Sequence, residues 1–378
     1  MTHTLVVRLD NAGDVLLAGP AVRAVAAGSD RVTLLCGPRG AAAGELLPGV
    51  DSVITWRSPW IDPEPDPVSA EHVEALVAAV RDLAPDRALV LTSFHQSPLP
   101  TALALRLAGV PWVGAASDDY PGSLLDLRHR PPDGLHEVER GLSLARAAGH
   151  ELPPDDDGRL AVRRAPAPRL PLPDGPYVVL HPGTSVPARA WPADGWGRLA
   201  QLLAARGHRV VVTGGPGEQA LTRAVAAAGS TEVSPGNEGG RLPGDPGPGV
   251  VDLGGRTDLA ELSDVLARAA VVVVGNTGPA HLAAAVGTPV VSLFAPTVPF
   301  ERWRPWGVPV VALGRGDAPC RGTRVTRCPF PGHPCLSSVG ADEVARAVDS
   351  VVPPPGTRDR RAALVGALPA RPLPGGVA

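Results

Sequence analysis

The sequence predicts an α/β protein with two doubly wound, Rossmann-like domains that face each other across a cleft. Its 378 residues are enough for two domains of about 150 residues each. Hydrophobic residues make up 44% of the chain, which is enough to fill two cores. Short apolar runs alternate with amphipathic stretches in both halves of the chain, and this order is typical of parallel sheets with helices on both faces.

The first domain is expected to span residues 1–160. Its predicted strands are Leu5–Leu9, Arg31–Leu35 and Arg87–Thr92. Its predicted helices are Leu16–Ala27, Val73–Leu83, Leu99–Leu107 and Leu135–Ala148. The polar, turn-rich segment Asp118–Arg130 is expected to be irregular.

A linker is expected over residues 161–176, because its proline and arginine content opposes collapse. A second domain over residues 177–352 then repeats the α/β alternation. Its predicted strands are Tyr177–His181, Arg209–Thr213, Val271–Val274 and Pro289–Phe294. Its predicted helices are Trp196–Ala205, Glu218–Ala228, Leu259–Ala269, Pro279–Val286 and Asp342–Val351.

Three polar segments are expected to stay outside the packed domains. The run Asp155–Asp157 is interpreted as a solvated group of charges. Ser234–Gly249 is interpreted as a mobile Gly/Pro-rich loop, and residues 353–378 as a disordered tail.

The overall charge and hydropathy exclude several classes of protein. A formal charge of −3 lacks the strong basic field that bulk nucleic-acid binding requires. There is no apolar run of the length that spans a membrane, about 18 residues or more. The first residues do not follow the pattern of a secretory signal peptide. The cytoplasm is therefore the expected location.

The cysteines are few, and three of the four are close together in the sequence. A secreted disulfide scaffold of this length usually carries more than Cys36, Cys320, Cys328 and Cys335. The last three could bind zinc with His333 as a fourth ligand. Their spacing does not match paired C-x-x-C ligands, which favours incidental thiols.

The loop Asp10–Asp14 follows the first strand, at the edge of the sheet where open α/β folds bind ligands. Asp14 follows a turn-forming glycine, Gly13. It is either a helix N-cap, which stabilises by about 1 kcal/mol, or a general base at the floor of the cleft. The loop is not a G-x-G-x-x-G fingerprint, which disfavours a nicotinamide dehydrogenase.

The loop His181–Ser185 and the nearby Arg189 form a second candidate. Thr184 and Ser185 offer backbone and hydroxyl donors to phosphate oxygens, and Arg189 can add a charge-assisted bond. The alternative is a surface loop with an exposed arginine.

The glycine-rich loop Gly214–Glu218 is the third candidate. Its glycines allow a ligand to approach the backbone, and Glu218 can accept hydrogen bonds from ribose hydroxyls. Glu218 could equally be a first-turn acid that complements the helix dipole.

The loop Gly275–His281 carries the strongest phosphate signal. Pro279 fits the first position of a helix, so free N–H groups around Thr277 and Gly278 would point towards an anion. His281 could donate to the same group or simply pack.

These segments resemble glycosyltransferase family 9, the heptosyltransferases. The resemblance is carried by Arg8–Leu17, His181–Ser185, Arg189–Pro192, Gly254–Leu262, Asn276–Ala285 and Phe294–Thr297. It implies a GT-B fold and an inverting, metal-independent transfer of heptose or a related sugar, with no cofactor. It also implies a nucleotide diphosphate sugar donor such as ADP-heptose and a glycan or lipid-linked acceptor, compatible with peripheral association with the inner membrane face.

By this resemblance, Asp14 is the base that acts on the acceptor hydroxyl. The other candidates bind the donor, and they are Thr184, Ser185, Arg189, Glu218, Asn276, Thr277, Gly278 and His281. Asn276 stands where the family usually has an Asp that contacts the donor sugar. Because Asn can form hydrogen bonds but carries no charge, the donor need not be ADP-heptose.

Two alternatives to a transferase remain open. A nucleotide-sugar epimerase shares the GT-B architecture but would form no new glycoside. An inactive nucleotide-sugar-binding protein, for which Asn276 is the hint, would bind the donor without turnover.

Overall fold

The computed structural model describes residues 1–164, 170–230 and 249–352, and it contains two α/β domains, each built on a six-stranded sheet. The predicted fold class is confirmed. The predicted tail and all of the predicted loop Ser234–Gly249 except Gly249 lie outside the described residues. None of the described helices combines the length and the apolarity needed to cross a bilayer.

The first sheet consists of parallel strands in the order β3-β2-β1-β4-β5-β6. They are His3–Arg8 (β1), Arg31–Cys36 (β2), Ser52–Thr55 (β3), Arg87–Val90 (β4), Trp112–Ala116 (β5) and Leu127–His129 (β6). The sequence does not predict β3, β5 and β6. Both β3 and β6 are short and only partly buried, so their apolar pattern is weak, and β6 lies in the segment expected to be irregular.

Helices cover both faces of this sheet. Those of residues 1–164 are Ala12–Leu17 (α1), Gly19–Ala27 (α2), Ala41–Leu46 (α3), Ala70–Leu83 (α4), Leu99–Leu107 (α5) and Glu137–Ala147 (α6). The prediction of one helix over Leu16–Ala27 is wrong, because α1 and α2 are separated at Ala18. Pro20 lies in the first turn of α2 and has no N–H with which to continue a helix from α1.

The second sheet repeats the same architecture in the order β12-β11-β10-β7-β8-β9, again with parallel strands. The strands are Val178–His181 (β7), Val210–Val212 (β8), Val250–Asp252 (β9), Val271–Gly275 (β10), Val290–Leu293 (β11) and Val310–Leu313 (β12). The described helices of this domain are Ala193–Ala205 (α7), Gln219–Ser230 (α8), Leu259–Ala267 (α9), Gly278–Ala285 (α10), Phe300–Trp303 (α11), Pro334–Ser337 (α12) and Ala341–Val351 (α13).

The strand order reverses direction once in each sheet, between β1 and β4 and between β7 and β10. At such a switch point the helices on either side leave towards opposite faces, and a crevice opens at the carboxyl ends of the strands. The loops after β1, β7 and β10 therefore lie at ligand-binding positions.

A continuous apolar cluster joins the two domains. It includes Leu16 and Leu17 of α1 together with Leu282 of α10 and Leu266 of α9, all almost fully buried. The domains are thus held together by direct packing of helices as well as by the chain that connects them.

The interpretation of Asp155–Asp157 as a solvated run is wrong for Asp156. Its carboxylate pairs with both Nε and Nη2 of Arg23 on α2, at 2.6 and 2.8 Å. Both side chains are largely buried, with 13% and 15% exposed. The pair fixes the chain after α6 to the first domain, whereas its neighbours Asp155 and Asp157 are exposed.

We expect Asp156→Asn to lower the free energy of unfolding by about 1–3 kcal/mol, because Arg23 loses a charged partner. The hydrogen bond from Arg23 holds the pKa of Asp156 below its usual range. The stabilisation is therefore present at neutral pH and is lost as the pH falls through that lowered pKa. Denaturant unfolding at neutral and acid pH measures it, with Asp155→Asn as the matched control. Equal stability of the two variants at neutral pH would contradict the prediction.

Candidate active site

A cavity of about 360 Å³ lies at the carboxyl ends of the strands, between the two domains. The first domain contributes Asn11, Ala12, Gly13 and Arg39. The second contributes residues from the loops after β7, β8, β9 and β10, within the segments 181–185, 214–218, 257–262 and 277–279. We call this cavity the switch-point cleft, and its volume is typical of a site for a small molecule.

The candidate side chains fall into two groups. Those that line the cleft are Thr184, Ser185, Glu218, Thr277 and Gly278. Those that are not part of its lining are Asp14, Arg189, Asn276 and His281. This second group adjoins the cleft, since Asp14 shares α1 with the lining residue Gly13 and Asn276 directly precedes Thr277.

Arg189 ends the short 3₁₀ turn Pro187–Arg189 and is only partly exposed. Its Nη1 donates to the backbone oxygen of Asn276 at 3.2 Å, and its buried Nε has no partner among the described residues. Burial lowers the pKa of Arg189, and the charge of Asp14 opposes that shift. Because a guanidinium stays protonated in proteins, Arg189 is a half-buried cation with a free donor beside Asp14.

The segment around the C-terminal cysteines holds the turn that carries Arg189. Ala188 donates its N–H to the oxygen of Thr326 at 2.9 Å, and His333 Nε2 donates to the oxygen of Ala188 at 3.0 Å. His333 therefore contacts the backbone of the turn that carries Arg189. Among the described residues, no cluster of three or more His, Cys, Asp or Glu is arranged to hold an ion. Burial, together with the neighbouring Cys320, raises the pKa of the Cys335 thiol to about 12.

Glu218 both caps a turn and faces the cleft. Its Oε2 accepts a hydrogen bond from the N–H of Gly215 at 2.7 Å. Its carboxyl group also packs against Gly183, where a Cβ atom would lie 2.0 Å from Glu218 Cδ. A side chain at position 183 would therefore displace the Glu218 carboxyl group from this position.

The start of α10 differs in one detail from the expected anion site. Thr277 is the N-cap, and its own N–H donates to the oxygen of Gly275 at 2.9 Å, so it is not free. Among the described residues, the N–H of Gly278 has no backbone partner, and the buried hydroxyl of Thr277 has no partner either. These two groups are the donors that remain for a ligand.

Asn276 makes a two-point contact with the backbone. Its Nδ2 donates to the oxygen of Ala295 at 3.3 Å, and its Oδ1 accepts from the N–H of Ala295 at 3.1 Å. The side chain is 6% exposed. This geometry joins the ends of β10 and β11 and does not support the expected contact with a donor sugar.

We expect Asn276→Asp to destabilise the protein by about 1–3 kcal/mol, because a carboxylate cannot donate to the oxygen of Ala295. A protonated carboxyl group can make both bonds, so burial should raise its folded pKa. The loss should then be small in mildly acid solution and grow as the pH rises through that pKa. Thermal unfolding across this pH range, with the wild-type protein as reference, measures the effect. Identical melting of both proteins at every pH would contradict it.

Asp14 lies in the first turn of α1, where Asn11 is the N-cap, so the N-cap interpretation of Asp14 is wrong. Its Oδ1 lies 3.3 Å from Arg8 Nη2 and accepts a hydrogen bond from the Trp303 indole Nε1 at 3.2 Å. Arg8 also contacts two other carboxylates, Asp10 at 2.9 Å and Glu137 at 3.5 Å. One buried guanidinium therefore organises three acids.

The electrostatics of this group favour a charged Arg8. Burial alone would lower the pKa of Arg8, but the three carboxylates outweigh it and raise that pKa. Burial raises the pKa of Asp10 and of Glu137, and Arg8 opposes both shifts. Since Asp14 is the most exposed of the three acids, with 21% of its side chain accessible, it is the one placed to meet a ligand.

The histidines near Asp14 are neutral at physiological pH. Burial lowers the pKa of His281 and of His95 to about 4. His281 is 5% exposed, and its buried Nδ1 has no partner among the described residues. It can therefore offer a hydrogen bond to a bound sugar or phosphate but no positive charge.

The two domains meet where α1 and α10 begin. A Cβ atom at Gly13 would lie 3.0 Å from His281 Cδ2 and 3.2 Å from Gly278 Cα. A side chain at this position would push the two helix starts apart, so glycine allows the close approach that sets Asp14 beside the loop before α10.

Several residues that line the site are not predicted as site residues from the sequence. Thr257, Asp258 and Leu262 line the cleft after β9, a three-residue strand whose apolar pattern is too short to predict. Arg39 follows β2, a predicted strand, so the rule on strand ends could have found it. No local sequence pattern indicates which carboxylates contact Arg8, or that the indole of Trp303 contacts Asp14.

Comparison with known proteins identifies the class to which this architecture belongs. Residues 73–333 match the family model described as glycosyltransferase family 9 (heptosyltransferase). The protein belongs to glycosyltransferase family 9. The matched residues do not include the segment that carries Asp14.

Two curated relatives are similar over part of the chain. "Lipopolysaccharide heptosyltransferase 3" of Escherichia coli is 31% identical over 177 residues, which are 47% of this chain and 47% of that protein. "Lipopolysaccharide heptosyltransferase 1" of Pseudomonas aeruginosa is 33% identical over 190 residues, which are 50% of this chain and 47% of that protein. The chain thus matches about half the length of these relatives.

Similarity to a solved structure covers nearly the whole fold. The structure of E. coli ADP-heptose lps heptosyltransferase II has a TM-score of 0.66 and 19% sequence identity. The similarity covers 93% of this chain and 98% of that chain. It supports the two-domain GT-B architecture.

Proposed function

We propose that the protein is an inverting glycosyltransferase that moves a sugar from a nucleoside diphosphate donor to a hydroxyl group of a glycan or glycolipid. One observation carries the proposal. The switch-point cleft brings the strand-end loops of the second domain against α1 of the first, which contains Asp14. Membership of family 9 supports this chemistry. The names of the relatives favour ADP-heptose as donor and a lipopolysaccharide-like acceptor.

The donor nucleotide would lie mainly on the second domain. Glu218 is placed to accept hydrogen bonds from the ribose, while Thr184 and Ser185 face the cleft as donors for phosphate oxygens. The Gly278 N–H and the positive end of α10 would bind the diphosphate. Arg189 would add a positive charge through its free Nε.

In the proposed reaction, the acceptor oxygen forms a bond to the anomeric carbon from the face opposite the phosphate. The bond from that carbon to the phosphate oxygen breaks, and the nucleoside diphosphate leaves with the electron pair. Asp14 accepts the proton of the attacking hydroxyl. Arg189 and the start of α10 stabilise the charge that develops on the leaving group, so the proposal requires no metal.

A thermal-shift screen with ADP-, UDP- and GDP-sugars tests donor binding, because a ligand of the native state raises the melting temperature. We expect a rise with at least one donor, followed by release of its nucleoside diphosphate and formation of a glycoside. Binding without turnover would favour an inactive binding protein. Binding with a changed sugar and no glycoside would favour an epimerase.

Arg189→Ala should weaken binding of ADP by about 1.5–3 kcal/mol, as for the loss of a charged hydrogen bond. Titration calorimetry measures it. Arg198→Ala is the matched control, because Arg198 is an exposed residue of α7 in the same domain. Wild-type affinity in the Arg189→Ala protein would remove Arg189 from the phosphate site.

Asp14→Asn should lower the release of ADP from ADP-heptose by about 10²–10⁴-fold, the usual contribution of a positioned base. The amide keeps an oxygen for the Arg8 and Trp303 bonds, and Arg8 keeps two other carboxylate partners, so the variant should still fold and bind ADP. The assay is run with a chelator present, since turnover without metal is part of the proposal. Near wild-type turnover in a normally folded variant would reject Asp14 as the base.

A further inference from the structure

The carboxylate of Asp14 is held at one oxygen only. Both Arg8 Nη2 and Trp303 Nε1 approach Oδ1, at 3.3 and 3.2 Å. Among the described residues, no hydrogen bond to Asp14 Oδ2 is found. A carboxylate fixed in this way presents its second oxygen in a defined direction.

The two donors differ in origin. Arg8 belongs to β1, in the same domain as Asp14, whereas Trp303 lies 289 residues further along the chain, on α11 of the second domain. The Trp303 ring also packs edge-on against Phe94 of the first domain, with centroids 5.7 Å apart. The guanidinium group of Arg302 lies over the Phe94 ring, 4.4 Å from its centroid. The end of α11 is therefore seated on the first domain.

We propose that Trp303 is a positioning residue that orients the base from the donor-binding domain. This inference rests on the proposed function. With the domains packed together, the indole N–H holds Asp14 Oδ1, so that Oδ2 is directed to the acceptor hydroxyl. When α11 leaves the first domain, Asp14 keeps only the contact with Arg8. The base is thus complete only when the domain that carries the donor is in place.

A second tryptophan provides a matched comparison. Trp306 also reaches from the second domain to the first half of the chain, where its Nε1 donates to the oxygen of Gly158 at 3.0 Å. Its ring stacks on His136, with centroids 4.5 Å apart. In the part of the chain that the structure describes, the Trp306 indole has no hydrogen bond to a carboxylate. Trp306→Phe therefore removes an indole hydrogen bond between the second domain and the first half of the chain, as Trp303→Phe does, but it leaves the contacts of Asp14 in place.

The experiment compares Trp303→Phe with Trp306→Phe, using release of ADP from ADP-heptose. A phenyl ring keeps the packing against Phe94 but cannot donate. We expect Trp303→Phe to lower kcat by about 10- to 100-fold, the size of effect produced by a misplaced catalytic group, with the donor KM and melting temperature unchanged. Trp306→Phe should retain kcat within about twofold.

The pH profile separates positioning from a structural role. Loss of a donor to the ionised form raises the pKa of a carboxyl group. The acid limb of kcat/KM should therefore move to higher pH in Trp303→Phe and stay in place in Trp306→Phe. A wild-type kcat and acid limb in Trp303→Phe, or equal losses in both variants, would overturn the proposal.

A double-mutant cycle needs no substrate. If the indole contacts Asp14, the decrease in melting temperature of Trp303→Phe combined with Asp14→Ala should be smaller than the sum of the single decreases. Additive decreases would overturn the contact itself. A non-additive cycle in a wild-type protein that releases no nucleoside diphosphate from any ADP-, UDP- or GDP-sugar of the screen would reject the proposed function and leave the contact as a purely structural one.

Discussion

The close approach of α1 and α10 is the constraint on which the site depends. Gly13 lets the two helix starts come together, because a side chain there would press against His281 and the backbone of Gly278. Each helix begins at the switch point of its own sheet. The contact therefore joins the two sheet edges into one cleft, and it places Asp14 beside the loop before α10.

Burial determines which side chains around the cleft carry a charge. The histidines are kept neutral by their lowered pKa values, so positive charge comes from arginines, which do not titrate near neutral pH. Arg8 pairs with the acids of the first domain, whereas Arg189 lies in the second domain and contacts the backbone of Asn276. This separation suits a reaction in which a base acts on one face of a sugar and a diphosphate leaves from the other.

The sequence was sufficient to predict what depends on local patterns. Alternating apolar runs predicted the two domains, and the rule that ligands bind at strand ends predicted that Thr184, Glu218 and Gly278 would line one cleft. Contacts between distant segments left no such pattern. Nothing near Trp303 indicates that its indole meets Asp14, and nothing near Asn276 indicates that its amide pairs with Ala295. Short strands such as β9 were missed because their apolar runs are too short to form a pattern. The residues that follow β9 and line the cleft were therefore missed as well.

The central claim is that nucleotide binding engages the loops of the second domain and the start of α1 together. Hydrogen exchange with and without ADP tests it most directly. The account predicts slower exchange in the segments 181–185, 214–218 and 277–281, together with 11–14 of the first domain. Protection confined to other parts of residues 1–150, or absent from all four segments while ADP is bound, would contradict it.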